Sequence, residues 1–501
     1  MTCILPSRMP SFHILDELRS ATLNCLKSLR SASSHELTEG LFLRLLGLIY
    51  LTAFGSLWIQ IVGLVGSHGV LPAQPLISAM REQVGSRAFW EAPSLFWLGI
   101  NDSGLFWCCG IGCASAILLM VGFFPRWAAA ICWLLYLSLV SIAQPFTSFQ
   151  WDALLLESGF LALLAGTGWL VWAYRFLLFR LMFESGAVKL LSHDPNWRNL
   201  HALRFHFMTQ PIPNPIAYYV YRAPDWMLDS MTAATLMIEL CAPFLLFGPG
   251  TLRRVGVGLL MLLQMAVLLT GNYAFFNLLA LAICLWGLDD QTFAPLAKFL
   301  RSGYPRGADA VSLPRFTRPA LNIVAAVLIA IGAIQLVEMF KRHPIRLFST
   351  ALRTIAPLQL VNPYGLFAVM TTTRPEIIIE GSEDQLSWRE YSFRYKPGNL
   401  HRGLPFVAPH QPRLDWQMWF AALGTYQENT WVGGLIYRLL LGDESVLALM
   451  DKPPFSKPPR IIRAQLYLYD LTTPNERERT GAVWQRRFEG VWLGPVSLAR
   501  H

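Results

Sequence analysis

Leu105–Phe124 and Val255–Leu269 run without a charged residue, and Ala153–Ala165 is nearly free of charge. The hydrocarbon core of a bilayer requires about 20 apolar residues per helical span. A soluble helix of that length carries charge on its outward face every turn or two. The whole chain follows the same bias, with 54% hydrophobic and only 15% charged residues, against about 25% charged in soluble domains. These runs define a polytopic membrane protein.

The first span reads as Leu41–Leu64. Further spans fall near 105–124, 127–143, 153–171, 173–191, 231–248, 255–270, 273–288 and 320–340, with the fourth and fifth hard to separate, so about 8–9 spans are expected. Loop charge sets their orientation. Arg126, the pair Arg253 and Arg254, and Lys298, Arg301, Arg306, Arg315 and Arg318 fall in alternate connections, whereas 144–150 and 271–274 carry no Lys or Arg. Residues 1–40 add Arg8, Arg19, Lys27 and Arg30 without the short apolar core of a signal peptide. They read as a cytoplasmic segment, followed by a transmembrane domain over 41–340. An odd number of spans then puts residues 345–501 on the non-cytoplasmic side.

The net charge of +9 does not imply a nucleic-acid partner, because no basic stripe carries it and topology accounts for the loop residues. The expected partner is the lipid bilayer. Of eight cysteines, none lies beyond residue 284. There is no CxxC and no Cys/His spacing suited to zinc. Cys109 and Cys113 share a helix face, which in a membrane helix reads as packing. The C-terminal region must therefore fold without disulfides.

That region changes character. Glu376–Glu380, 387–395 and 463–468 show strand signals, the last two with period-2 alternation, and Lys396-Pro397-Gly398 is a turn. Asp415 is positioned to cap an aromatic helix over Trp416–Leu423, and a second helix is expected near 431–441. Asp451–Arg460, with its four prolines, reads as an extended connector. The expected fold is a β-rich, sandwich-like domain with inserted helices.

Ionisable residues inside spans are costly, so each is a functional candidate: Arg44, Asp152, Glu157, Arg175, Arg180, Glu184, Lys189 and Glu239. Arg180 and Glu184, four apart, suit a pair on one helix face. Glu184, Lys189, His201, His206 and Gln210 belong to an unusually polar stretch over 183–224, which suits the non-cytoplasmic mouth of the bundle. Asp152, Glu157, Arg180, Glu184, Lys189, His206 and Gln210 form the candidate polar membrane site. The alternative is that these groups pair only to fix helix packing. Lys189, at the end of an apolar helix, either snorkels to the interface or acts as a base. His201 and His206 are five apart, a poor spacing for joint metal binding, and no metal or cofactor is expected. GxSxG, Walker A, GxGxxG and HExxH motifs are absent.

Several stretches, in order, resemble the lipase maturation factor family. They are Phe149-Gln150-Trp151-Asp152 with Leu154-Leu155-Leu156-Glu157; Phe179-Arg180-Leu181-Met182-Phe183 leading to Ser185-Gly186-Ala187-Val188-Lys189-Leu190; and His206-Phe207-Met208-Thr209-Gln210-Pro211-Ile212-Pro213. Thr270-Gly271-Asn272-Tyr273-Ala274-Phe275-Phe276-Asn277 follows, then Tyr364-Gly365-Leu366-Phe367, Met370-Thr371-Thr372-Thr373-Arg374 and Pro409-His410-Gln411-Pro412-Arg413-Leu414-Asp415-Trp416. The resemblance covers about residues 40–490. It implies a multi-pass membrane protein that assists folding and assembly of secreted lipases or other exported clients, a maturation factor rather than a hydrolase. The membrane would be that of the ER in a eukaryote or the inner membrane in a bacterium, with the C-terminal domain lumenal or periplasmic. Arg413, Asp415, Trp416 and Trp419 are then the candidates for client contact. The chain ends in Leu498-Ala499-Arg500-His501 without a KDEL-type signal. The membrane half is also similar, over a shorter stretch, to the transmembrane module of vitamin-K-dependent carboxylase. That similarity implies a membrane enzyme with Lys189 as base, the alternative reading.

Overall fold

The computed structural model describes residues 35–296, 317–341 and 346–498. The expected cytoplasmic charges Arg8, Arg19, Lys27, Arg30, Lys298, Arg301, Arg306 and Arg315 lie outside the described residues, as do Cys3 and Cys25. Six helices are long and apolar enough to cross a membrane: α1 (Glu36–Trp58), α2 (Asp102–Val121), α3 (Pro125–Ile142), α6 (Asp225–Leu245), α7 (Gly250–Thr270) and α9 (Thr317–Met339). Three further expected spans correspond to α4 (Gln150–Ala162), α5 (Leu170–Leu191) and α8 (Phe276–Cys284). The first and last of these are short, and α5 carries Arg175, Arg180, Glu184 and Lys189. At 1.5 Å rise per residue, helices of 18–23 residues span about 27–35 Å, the thickness of the hydrocarbon layer.

Helix packing follows from small residues and punctuation. A Cβ at Gly47 would stand 2.7 Å from the Met120 nitrogen, so glycine there lets α1 and α2 meet backbone to backbone. Gly122 ends α2 at φ 78°, and Pro125 opens α3.

Two sets of contacts mark the ends of the bundle. At one end, Arg126 donates to the Ala165 carbonyl and the Gly166 amide to Glu39. Arg175 reaches the Trp286 carbonyl, Arg253 reaches Gly287 and Asp289, and the Thr38 amide donates to Asp290. Exposed Phe123, Phe124, Trp127, Trp169 and Trp172 surround this end. At the other end stand exposed Trp107, Tyr219, Trp226 and Phe340, and here the C-terminal region is seated. Two aromatic girdles separated by a span length are the pattern of membrane–water interfaces.

The C-terminal region begins with α10 (Arg346–Ile355) and an irregular strap, residues 360–373. It then forms a four-stranded antiparallel sheet in the order β2-β1-β3-β4, with β1 Arg374–Ser382, β2 Arg389–Tyr391, β3 Ile461–Leu471 and β4 Trp484–Val496. β1 pairs along its length with β3, from Arg374 opposite Tyr469 to Ser382 opposite Ile461.

The two-sheet sandwich is not formed among the described residues. Ile377 and Ile379 share a buried cluster with the bundle and with α11 (Arg413–Ala422), while Ile378 packs with Tyr469, Trp484, Met208 and Tyr218. A helix and the polar mouth of the bundle therefore supply the covering layers that a second sheet would have provided. The strand expected over 387–395 shrinks to three residues plus a bridge between Phe393 and Met450. Asp415 does not cap α11. It is the third residue of the helix, and its carboxylate accepts from the Tyr395 and Lys396 amides at 2.8 and 2.9 Å, so it fixes the Lys396 turn instead.

The buried polar seam, a candidate functional site

The polar membrane candidates lie where the bundle meets the C-terminal region, and they form separate pairs. Trp151 and Asp152 open α4. Asp152 receives both arms of Arg413, at 2.8 and 2.9 Å, and is also bonded by the Tyr136 hydroxyl. Arg413, 1% exposed, further donates to the Phe146 carbonyl at 2.7 Å. Beside it the Trp151 indole donates to Gln411 Oε1 at 2.6 Å. The flat guanidinium fork suits this carboxylate, and the Phe146 carbonyl and Tyr136 hydroxyl accept its other terminal hydrogens, leaving the Nε–H without a partner.

One to two turns along α4 and α5, the expected Arg180–Glu184 pair does not form. Arg180 pairs with Glu157 and donates to the Asn362 carbonyl at 3.2 Å. Glu157 also accepts from the Asn362 amide at 2.9 Å and the Tyr364 hydroxyl at 2.9 Å. Glu184 instead accepts from the Tyr364 amide at 2.8 Å. The reason is the strap: its backbone N–H groups are buried without a ladder partner and take the carboxylates. The pattern continues along it. Gly365 donates to Gln150 at 3.1 Å, Met370 donates to Asp194, and the Phe367 and Ala368 carbonyls accept from Trp197 and Ser192 at 2.9 and 2.7 Å.

Lys189 does not snorkel. It is 4% exposed, and its ammonium stands 2.7 Å from each oxygen of Glu239, 5.0 Å above the Trp197 ring. Gly186 permits this, since a Cβ there would stand 2.9 Å from the Glu239 Cβ. The Ser-Gly-Ala-Val-Lys spacing thus brings α5 against α6 one turn before the lysine. A base role requires Lys189 first to leave both oxygens.

The third group holds His206, Gln210 and Tyr273. The Tyr273 hydroxyl lies 3.0 Å from His206 Nε2 and donates to Gln210 Oε1 at 2.9 Å. Burial, then the nearby Lys189 charge, push His206 down from 6.5 to about 4, so the ring is neutral near pH 7. The Phe367 ring of the strap stands edge-on to both His206 and Tyr273. Arg180 with Glu184, Lys189, and His206 with Gln210 therefore occupy three neighbouring groups along one strap rather than a single constellation. The His201 side chain is not hydrogen-bonded to any of these three groups, and among the described residues no three His, Cys, Asp or Glu are grouped to hold a metal ion.

A further knot has no counterpart among the sequence candidates. Glu376 is bracketed by Arg374 at 2.8 Å and Lys396 at 2.7 Å. Arg374 also donates to the carbonyls of Met208, Gln210 and Pro211 at 2.5–2.8 Å. Arg374 closes the Met-Thr-Thr-Thr-Arg stretch, and that position was the available signal. The four expected client-contact residues are all buried. Trp416 packs on Trp151 at 4.8 Å, Trp419 donates to the Thr209 carbonyl at 2.9 Å, Arg413 holds Asp152, and Asp415 holds the Lys396 turn. Their aromatic surface is core.

The arrangement defines an integral membrane protein whose C-terminal sheet is fastened to a helical bundle by buried ion pairs and a hydrogen-bonded strap. The lipase maturation factor transmembrane domain matches residues 37–295, and the lipase maturation factor C-terminal domain matches residues 360–493. The chain is 34% identical to lipase maturation factor 2 of Homo sapiens, over 92% of this chain and 83% of that protein. It is 33% identical to lipase maturation factor 2 of Xenopus laevis, over 90% and 81%. It is 32% identical to lipase maturation factor 1 of Bos taurus, over 93% and 90%. No solved structure matches. The chain belongs to the lipase maturation factor family.

Proposed function

We propose that the protein is a membrane-bound maturation factor that assists folding and assembly of exported clients, secreted lipases among them, with the sheet domain facing the non-cytoplasmic compartment. The observation that carries the reading is the seam. Its candidate acids and bases are tied to one another and to backbone, which suits a rigid scaffold presenting a surface rather than a reaction centre. Orientation is supported by Arg126, Arg253 and Arg254, which lie at the end of the bundle opposite the sheet. Counting α4, α5 and α8 as transits gives nine. The sheet domain then occupies the ER lumen in a eukaryote or the periplasm in a bacterium.

The buried Trp416 and Trp419 are replaced, as client contacts, by exposed apolar side chains elsewhere on the sheet. Phe488 and Val491 on the edge strand β4 and Leu386 in the β1–β2 connection are exposed, and exposed apolar groups suit clients that have not yet buried theirs. The test is Leu386→Asp with Phe488→Asp and Val491→Asp, co-expressed with a secreted lipase in cells lacking their own maturation factors. Lipase recovery should fall severalfold while the variant accumulates normally in the membrane; unchanged recovery would overturn the docking surface. Reporter fusions after residues 300 and 345 test the orientation. Both reporters on one side would remove α9 as a span, and a cytoplasmic sheet domain would end the exported-client reading.

A further inference from the structure

Between the first span and α2 the chain builds a compact elbow, residues 73–98. It consists of a helix at Ala73–Val84, a single turn at Ala88–Glu91 and a tight turn at Leu95–Leu98. The elbow is fixed to α3 near the sheet-side end of the bundle. Ser94 donates to the Ser138 carbonyl at 3.0 Å, the Leu95 amide donates to Ser138 Oγ at 3.1 Å, and Ser141 donates to the Pro93 carbonyl at 3.0 Å. The Phe89 and Trp97 rings pack at 4.7 Å. Even so, Phe89, Trp90, Leu95 and Leu98 are exposed, Leu98 by 92%.

Helix α10 joins the elbow, with the Trp90 indole donating to the Thr354 carbonyl at 2.7 Å. Its sequence alternates apolar Ala351, Leu352 and Ile355 with Thr350, Arg353 and Thr354, the spacing of a two-faced helix. The tethers leave little freedom in where this unit sits. Leu98 precedes the first residue of α2 by four positions, at most about 14 Å of chain. The first turns of α2 continue the same apolar surface through Phe106 and exposed Trp107 and Ile111, with Phe106 against Trp58 at 5.0 Å.

We infer that the elbow and α10 form an interfacial shelf whose partner is the lipid leaflet on the sheet-domain side. Phe89, Trp90, Leu95 and Leu98 enter the boundary between headgroups and acyl chains, as amphipathic surface helices do. The shelf carries the segment leading to the strap, so it sets the height of the sheet above the membrane. Its seating in lipid does not depend on which client the sheet domain binds.

The test uses the full chain in lipid nanodiscs with Cys3, Cys25 and Cys241 changed to Ser. Spin labels are placed singly at Leu98→Cys, Phe89→Cys, the bilayer control Ile111→Cys and the water control Lys452→Cys. Labels at 98 and 89 should resemble Ile111, accessible to oxygen and shielded from a water-soluble nickel chelate. Accessibility matching Lys452 would overturn the shelf. Shielding accompanied by spin–spin broadening would also overturn it, since a second copy would then be covering the face.

Discussion

The seam and the exposed edge strand β4 put ion pairs of the same kind to opposite effect. At the seam, Arg413 and Asp152 are each about 1% exposed. On the edge strand β4, Arg487 and Glu489 stand 3.6 Å apart with 76% and 45% of their side chains in water. Water screens the second pair and leaves it worth about 0–1 kcal/mol. The first has no water to fall back on, so removing one partner strands a charge at about 3–5 kcal/mol. Buried pairs therefore fix how two regions join, whereas surface pairs leave a region free to change its contacts.

That contrast breaks or sharpens in a graded series. Arg413→Ala should have the largest effect, losing about 3–5 kcal/mol and most of the folded protein recovered in mild detergent. Arg413→Lys should recover little, because one ammonium cannot replace the two-armed contact. Lys189→Met should cost about as much by stranding Glu239, and adding Glu239→Leu should return stability to near the parent. If lipase maturation stays absent in that stable double variant, Lys189 has a chemical role and the scaffold reading of its pair fails.

Tyr364→Phe removes one donor from Glu157 and should cost about 1–3 kcal/mol, read as a lower thermal midpoint.

Acidification gives a similar shift outside the spans. His206 and His410 are each pushed down from 6.5 to about 4, chiefly by burial. The unfolded chain then binds more protons than the folded one between about pH 6.5 and 4, so stability falls as pH drops through that window and is insensitive to these groups above it. His206→Gln with His410→Gln should flatten the slope of midpoint against pH. An unchanged slope would remove both histidines from the account. Arg487→Ala should shift stability by less than about 0.5 kcal/mol; a larger loss would mean the exposed face of β4 is not a free surface.

The sequence made the apolar spans legible because a span is a local property, stated within some 20 residues. It also singled out Asp152, Glu157, Arg180, Glu184 and Lys189, since charge within such runs stands out. Their partners were not legible. The four-residue rule joined Arg180 to Glu184 on one helix, yet Glu157 and the Tyr364 amide, far away in the chain, took them separately. Trp416 and Trp419 looked available because composition does not report which aromatic face a bundle will cover. β4 escaped notice for a related reason: Arg486, Arg487 and Glu489 interrupt its alternation, and its bulged pairing with β3 tolerates that.

The long reach of the seam also has a consequence for biosynthesis. Arg413 is made 261 residues after Asp152, Asn362 comes 205 residues after Glu157, and Tyr364 comes 180 after Glu184. At roughly 5–20 residues per second, the ribosome leaves Asp152 waiting about 13–52 s for its arginine. Throughout that interval Glu157 already has Arg180, but Asp152 and Glu184 stand at the mouth of the nascent bundle without the arginine and the amide that later hold them. A chain terminated anywhere before the strap would keep that state permanently, marked as incomplete by the same charges that lock the finished protein.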